Sequence, residues 1–218
     1  MTRPLLLGHR GARASRHIPE NTLASFELCL QHGCDGFEFD VRLSADGQAV
    51  ICHDATVGGM EIANTASKSL AFPLPTLEDV LRQFAHRAFL DVELKVAGLE
   101  PETLAELRKH PPQKGYVVSS FLPEVLTAIH GLDPAIALGF LCETQDQLRG
   151  WRHTPADWLI PQFKLVDGEL VERVHAAGKR IMVWTVNGAE ILRQLAEWGV
   201  DGLITDETHR IAEIFPAP

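Results

Sequence analysis

The 218-residue chain has no Cys-x-x-Cys pair, no His-Glu-x-x-His segment, no linker and no surplus of basic residues. Each absence removes a class of function. Without paired thiols, a zinc knuckle or a thioredoxin-type centre is not expected. Of the four cysteines, Cys29, Cys34, Cys52 and Cys142, most read as small buried apolar residues of a reducing compartment. There are 20 Lys and Arg against 29 Asp and Glu, a formal net charge of -9. That balance does not suit nucleic-acid phosphates or an anionic membrane surface, although a single phosphate group could still sit in a metal-loaded pocket. Long apolar runs are missing too. Leu5-Leu6-Leu7 is broken at once by Gly8-His9-Arg10, too short for a signal segment or a membrane span. The expectation is a cytoplasmic protein with no nucleic-acid partner and no stable membrane insertion.

What the chain does have is a regular alternation. Strand-like runs at 4–8, 36–43, 48–53, 88–94, 116–121, 136–141, 158–162, 180–186 and 202–205 are interleaved with helical patterns. The helices are expected at 22–32, 77–86, 101–110, 124–130, 145–151, 168–177, 189–198 and 210–215, with Gly33, Gly178 and Gly199 as left-handed stops. Such alternation predicts a parallel sheet with right-handed crossovers. Nine strands are one too many for a (β/α)8 barrel, but only Ser44-Ala45-Asp46-Gly47 separates the second from the third, and Asp-Gly marks a hairpin. Removing the hairpin strand leaves an α/β (β/α)8 barrel, one domain over residues 1–218, at roughly 27 residues per unit. A two-residue turn at Asp46-Gly47 would set Asp40 opposite His53, and a four-residue turn would set Glu38 there. The imidazoles of His32, His86, His110 and His130 close predicted helices, where a positive charge suits the helix dipole.

Four polar clusters fall at the C-terminal ends of the expected strands, the face on which barrel active sites are built. They are Gly8-His9-Arg10-Gly11, Glu38-Phe39-Asp40, His53-Asp54 and Glu93-Leu94-Lys95. A spacing of two places Glu38 with Asp40, and Glu93 with Lys95, on one strand face. Carboxylates facing a barrel interior need a partner or a cation. Glu38, Asp40 and Glu93 read as oxygen ligands for Mg²⁺ or Ca²⁺. His9 and His53 suit proton transfer near neutral pH, and Arg10 and Lys95 supply charge for a phosphoryl group. Trp184 is either core packing or a platform at the barrel mouth. Together these groups describe metal-dependent hydrolysis of a phosphoester.

The ordered motifs resemble the glycerophosphodiester phosphodiesterase family of phospholipase-C-like barrels. They are His9-Arg10-Gly11 with Pro19-Glu20-Asn21-Thr22, Glu38-x-Asp40-Val41, Asp46-Gly47, His53-Asp54, Pro75-Thr76-Leu77-Glu78 and Glu93-x-Lys95. Ser120-Phe121, Val183-Trp184-Thr185-Val186-Asn187 and Asp201-Gly202-Leu203-Ile204-Thr205-Asp206 complete the set. The resemblance implies a TIM barrel with a small insertion after the His-Asp strand. It implies hydrolysis of glycerophosphodiesters to sn-glycerol 3-phosphate and an alcohol, with one divalent cation. Glu38, Asp40 and Glu93 would be the metal ligands, His9 and His53 the acid and base in unassigned order, and Arg10 and Lys95 the phosphate binders. Glu20 and Asn21 would support the His9 loop, unless Asn21 is a helix N-cap. Compared with the family pattern, the insertion at 55–74 is short and lacks a Thr-Leu-x-Arg opening, and Glu207 follows Asp206 where a proline is common. The part expected to grip the alcohol is reduced, which admits lysophospholipid or another phosphodiester as substrate, or a non-catalytic phosphoester-binding barrel.

Overall fold

Strand and helix alternate through residues 3–215, the part of the chain that the computed structural model describes. Eight parallel strands close on themselves: β1 (Leu5–His9), β2 (Gly36–Leu43), β6 (Phe89–Leu94), β7 (Tyr116–Ser120), β8 (Leu138–Cys142), β9 (Trp158–Pro161), β10 (Arg180–Val183) and β11 (Gly202–Thr205), which pairs back to β1. Between β2 and β6 lie β3 (Ala49–Ile51) and a small hairpin, β4 (Thr56–Val57) with β5 (Met60–Glu61). The helices are α1 (Leu23–Gln31), α2 (Leu77–Phe84), α3 (Glu100–Lys109), α4 (Pro123–Leu132), α5 (Gln145–Arg149), α6 (Gly168–Ala176), α7 (Ala189–Glu197) and α8 (Ile211–Ile214). The expected TIM barrel is the fold observed.

Two cores follow from the period-2 alternation of the strands. Outward residues such as Leu6, Phe37, Phe39, Val41, Leu90 and Val92 pack under the helices. Phe26 of α1 stacks on Phe37 with centroids 4.2 Å apart, and Phe84 of α2 meets Phe37 edge-on at 5.1 Å. Inward residues Leu7, Phe89, Val117, Leu141, Trp158, Ile160, Met182 and Ile204 fill the barrel. Helix starts are fixed by side-chain caps: Thr22 accepts from Ser25 N at 3.1 Å, Thr76 and Asp79 form a capping box, and Asp167 accepts from Leu170 N at 2.7 Å. Gly33, Gly178 and Gly199 all have positive φ after their helices, as the sequence requires.

The hairpin register differs from both expectations. Val41 lies opposite Ile51 and Leu43 opposite Ala49, while Ser44 N–H donates to Gln48 O at 3.0 Å. The loop is therefore the three residues 45–47, with Gly47 at φ 79 taking the left-handed position that a three-residue loop needs. An odd loop shifts the pairing by one, so Cys52 N–H, not His53, meets Asp40 O, at 3.0 Å. Beyond Ile51 the chain bends, and Arg42 Nε holds His53 O at 2.8 Å. That bend, rather than strand pairing, turns His53 toward the barrel mouth. Two further corrections are local. The helix expected at 145–151 ends at Arg149, and a 3₁₀ turn then buries Trp151. His32 is not a favoured imidazolium: burial, then the charge of His209, push its pKa down, and its Nδ1 lies 2.8 Å from Thr208 Oγ1.

β2 is longer than its neighbours, and two strands share one of its edges. β1 pairs along Gly36–Glu38, and β3 takes over the same edge along 41–43. At the base of β2, a Cβ on Gly36 would lie 1.8 Å from the carbonyl oxygen of Phe89 on β6. Gly36→Ala is therefore expected to cost ~3 kcal/mol or more, or to prevent folding. Gly47→Ala, whose Cβ would meet nothing within 4 Å, should cost only ~1–2 kcal/mol through its left-handed φ. Urea melts of the two variants test the contrast.

Candidate active site

Inward positions at the top of β2 and β6 are acidic, and the strands pair them: Glu38 is in register with Asp91, and Asp40 with Glu93. All four carboxyl groups are buried. Lys95 and Arg10 are the cations nearest them. Lys95 Nζ lies 2.6 Å from Glu93 Oε1 and 3.3 Å from Asp40 Oδ1, and Arg10 Nε lies 3.2 Å from Asp40 Oδ2. Two positive charges against four acidic groups leave an excess of buried negative charge, which proteins relieve by protonation or by binding a cation. Burial, reinforced by the neighbouring carboxylates, raises Glu38 well above the ordinary range. Glu93 is pushed up to about 7 by burial and then by Asp40. Asp91, whose Oδ1 accepts from Ser119 Oγ at 2.6 Å, is also raised by burial to about 7. Asp40 goes the other way, because Lys95, Arg10 and Asn21 together outweigh its burial.

Glu38, Asp40 and Glu93 offer carboxylate oxygens that all lie within 4.8 Å of one another. An all-oxygen, anionic donor set of this kind fits a hard divalent cation. Glu78, Glu106 and His110 form another acidic group on the helical surface, but Lys109 Nζ already lies 2.6 Å from Glu78.

The loop after β1 is built around this cluster. Arg10 (φ 53) and Asn21 (φ 56) are the only non-glycine residues with positive φ among the described residues, and both serve the acidic strands. Arg10 N–H donates to Glu38 Oε2 at 3.0 Å, and Asn21 Nδ2 donates to Asp40 Oδ2 at 2.8 Å. The N-cap of α1 is Thr22, so Asn21 anchors a carboxylate rather than the helix. Glu20 supports the arginines, accepting from Arg10 at 2.7 Å and from Arg13 at 2.6 Å.

His9 ends β1 in register with Glu38, with Nε2 3.9 Å from Glu38 Oε2. Its other nitrogen, Nδ1, lies 2.8 Å from Asp206 Oδ1. Asp206 is itself fixed by Asn187 Nδ2 at 2.7 Å and Arg13 Nη1 at 3.2 Å. Burial would raise its pKa, but His9 and Asn187 hold it down to about 2. A carboxylate on Nδ1 sets the tautomer and leaves Nε2 free toward the cavity. His53 is arranged likewise, with Nδ1 2.8 Å from Asp54 Oδ1.

These groups face a cavity of about 340 Å³ at the barrel mouth. His9, Arg10, Glu38, His53, Glu93 and Lys95 line one side; Phe121, Leu141, Glu143, Trp184 and Ile204 line the other. Asp40 is buried next to this lining, held by Arg10, Lys95 and Asn21. Trp184 is half-buried, donates from Nε1 to Ile160 O at 2.9 Å, and meets Phe121 edge-on at 5.5 Å. All eight residues singled out in the sequence thus converge on one place. Missing from that set were Asp206, Asn187 and Asp91. The last two motifs of the ordered set end on Asn187 and Asp206, just beyond β10 and β11, but nothing in the sequence links Asp206 to His9, 197 positions away.

Without a cation, the raised carboxyls of Glu38 and Glu93 favour the folded state at acid pH, and that contribution is lost as pH rises from the ordinary 4.5 through their raised values, about 7 for Glu93. Added Mg²⁺ or Ca²⁺ should therefore raise the melting temperature of EDTA-treated protein more at pH 8 than at pH 5. Glu93→Gln should remove most of that shift. An equal shift in the variant would count against the carboxylate site.

Residues 9–210 match the sequence profile of the glycerophosphoryl diester phosphodiesterase family. The chain is 30% identical to a glycerophosphodiester phosphodiesterase of Bacillus altitudinis over 241 residues, covering 96% of this chain and 97% of that protein. It is 27% identical over 237 residues to the glycerophosphodiester phosphodiesterase of Caldanaerobacter subterraneus subsp. tengcongensis, with 96% and 97% coverage. Among solved structures, a phosphodiesterase of Oleispira antarctica in complex with its product sn-glycerol-3-phosphate superposes with a TM-score of 0.83 and 28% identity, covering 99% of this chain and 98% of that one.

Proposed function

The chain belongs to the glycerophosphoryl diester phosphodiesterase family, enzymes that hydrolyse glycerophosphodiesters, and on that footing we propose that it releases sn-glycerol 3-phosphate by acid-base catalysis between His9 and His53. The observation that carries this reading is the meeting of an excess of buried carboxylate, two oriented imidazoles and two cations around one cavity. Glu38, Asp40 and Glu93 would hold the divalent cation. Bound there, Mg²⁺ or Ca²⁺ supplies Lewis-acid charge to the phosphate. Arg10 and Lys95 bind the non-bridging oxygens and stabilise the charge that grows on them in the transition state.

The two histidines differ in setting, and the difference supports a division of roles. His9, seated on β1 and held by Asp206, takes the proton of the attacking hydroxyl at Nε2. The negative charge of Asp206 favours the imidazolium so formed. His53 sits at the more open side, its side chain 36% exposed, and gives a proton to the leaving alcohol. Trp184 and Phe121 form the apolar wall against which the glycerol carbon chain lies.

Incubation with glycerophosphoethanolamine, with Mg²⁺, with Ca²⁺ and with EDTA, tests the reaction: cation-dependent release of sn-glycerol 3-phosphate is expected. His9→Ala and His53→Ala should each lower kcat by ~10²–10⁴ with the melting temperature retained. A loss below tenfold would refute the acid-base pair. Asp206→Asn should lower kcat by ~10-fold to 100-fold while KM stays unchanged. A rise in KM alone would show that Asp206 serves binding instead of orienting His9.

A further inference from the structure

A groove of about 430 Å³ adjoins the active-site cavity and shares one residue with it, His53. Its far wall belongs to the short cap after β3. Val57, Phe72, Pro73, Leu74 and Ile51 give it an apolar lining. Phe72 is 62% exposed, one of two large apolar side chains so open to water among the described residues. With Val57, Pro73 and Leu74 it forms an apolar wall of a groove that also reaches His53, a place where an apolar ligand can be buried.

The groove is also built rather than incidental. Ile51 N–H donates to Pro75 O at 2.8 Å, which ties the proline-rich wall to β3. Phe72 lies across the β4–β5 turn at Gly58, where a Cβ would stand 2.3 Å from the Cβ of Ala71 and 3.5 Å from the Phe72 ring. Two carboxylates border the groove, and both are already paired: Glu20 with Arg10 and Arg13, Asp54 with His53. Glu20 is thereby neutralised by two arginines, and Asp54, 76% exposed at the rim, faces the imidazole that donates the proton, so the wall left for the alcohol is apolar.

We propose that this groove binds the leaving alcohol of the diester and selects alcohols with an apolar body over charged ones. The inference rests on the phosphodiesterase reading above. A diester held by Arg10 and Lys95 projects its two substituents in different directions. Glycerol lies toward Phe121 and Trp184; the other alcohol passes His53, the group that protonates it, into the groove. The bond from phosphorus to the alcohol oxygen breaks, the attacking hydroxyl forms the new one, and the oxygen leaves with the proton from His53.

The test compares sn-glycero-3-phosphohexanol with glycerophosphoethanolamine in the cation-loaded enzyme. Wild type should show kcat/KM at least about tenfold higher for the hexyl diester, the effect of burying a few methylenes. Phe72→Ser, a change at an exposed position, should bring the ratio of the two kcat/KM values down toward one. Val57→Ser should do the same in smaller measure. Equal rates on both diesters in wild type, or a Phe72→Ser variant that keeps the preference, would overturn the proposal while leaving the phosphodiesterase reading intact. No turnover of either diester would overturn both.

Discussion

Four acidic side chains inside one end of a barrel, opposed by one lysine and one arginine, are the constraint around which the rest of this molecule is arranged. Burying like charges is costly, and a fold keeps them only where something of opposite sign is regularly present. Here the opposing groups come from several elements. Arg10 reaches in from the loop after β1, Lys95 from the end of β6, and Asn21 from the loop before α1, at the cost of two strained backbone positions. The cluster is left short of positive charge, which suits it to a cation and a phosphate arriving together.

The same cluster explains why β2 and β6 carry the site. They are the pair with the longest continuous register in the barrel, from Gly36 with Phe89 to Val41 with Leu94. Their outward residues are large and apolar, and anchor the strands under α1 and α2. Rigidity on the outer face holds the inner face still, so the carboxylates keep their spacing against mutual repulsion.

Much of this could be read from the residues alone. Alternating apolar runs, the Asp-Gly turn and the acidic pairs at spacing two gave the barrel, the extra strand and the carboxylate cluster, because each depends on local periodicity. Contacts set by closure of the barrel were not legible. Asp206 meets His9 only because β11 returns to β1, and no pattern within either segment encodes that meeting. The hairpin was misjudged for another reason. Asp46-Gly47 resembles a two-residue turn, but Asp46 uses its carboxylate to accept from Ser44 Oγ, Ser67 N and Ser67 Oγ. Those tertiary bonds draw Asp46 into a three-residue loop joined to the cap. Asn21 was half-legible: the residues suggest a support for the His9 loop or a helix N-cap, whereas the cap is Thr22 and the side chain meets Asp40.

The shared edge of β2 separates two kinds of change in the chain. Shifting β3 by one residue against β2 would invert every side chain of β3 and displace the bend that carries His53. A residue added in the cap, between the end of β4 and Pro73, would reshape the groove without shifting either histidine, because β1 and β3 are both pinned to β2. Chemistry and choice of alcohol are thus carried by segments that can drift independently. A lineage could exchange one leaving group for another by lengthening a surface loop while its catalytic groups stayed in place.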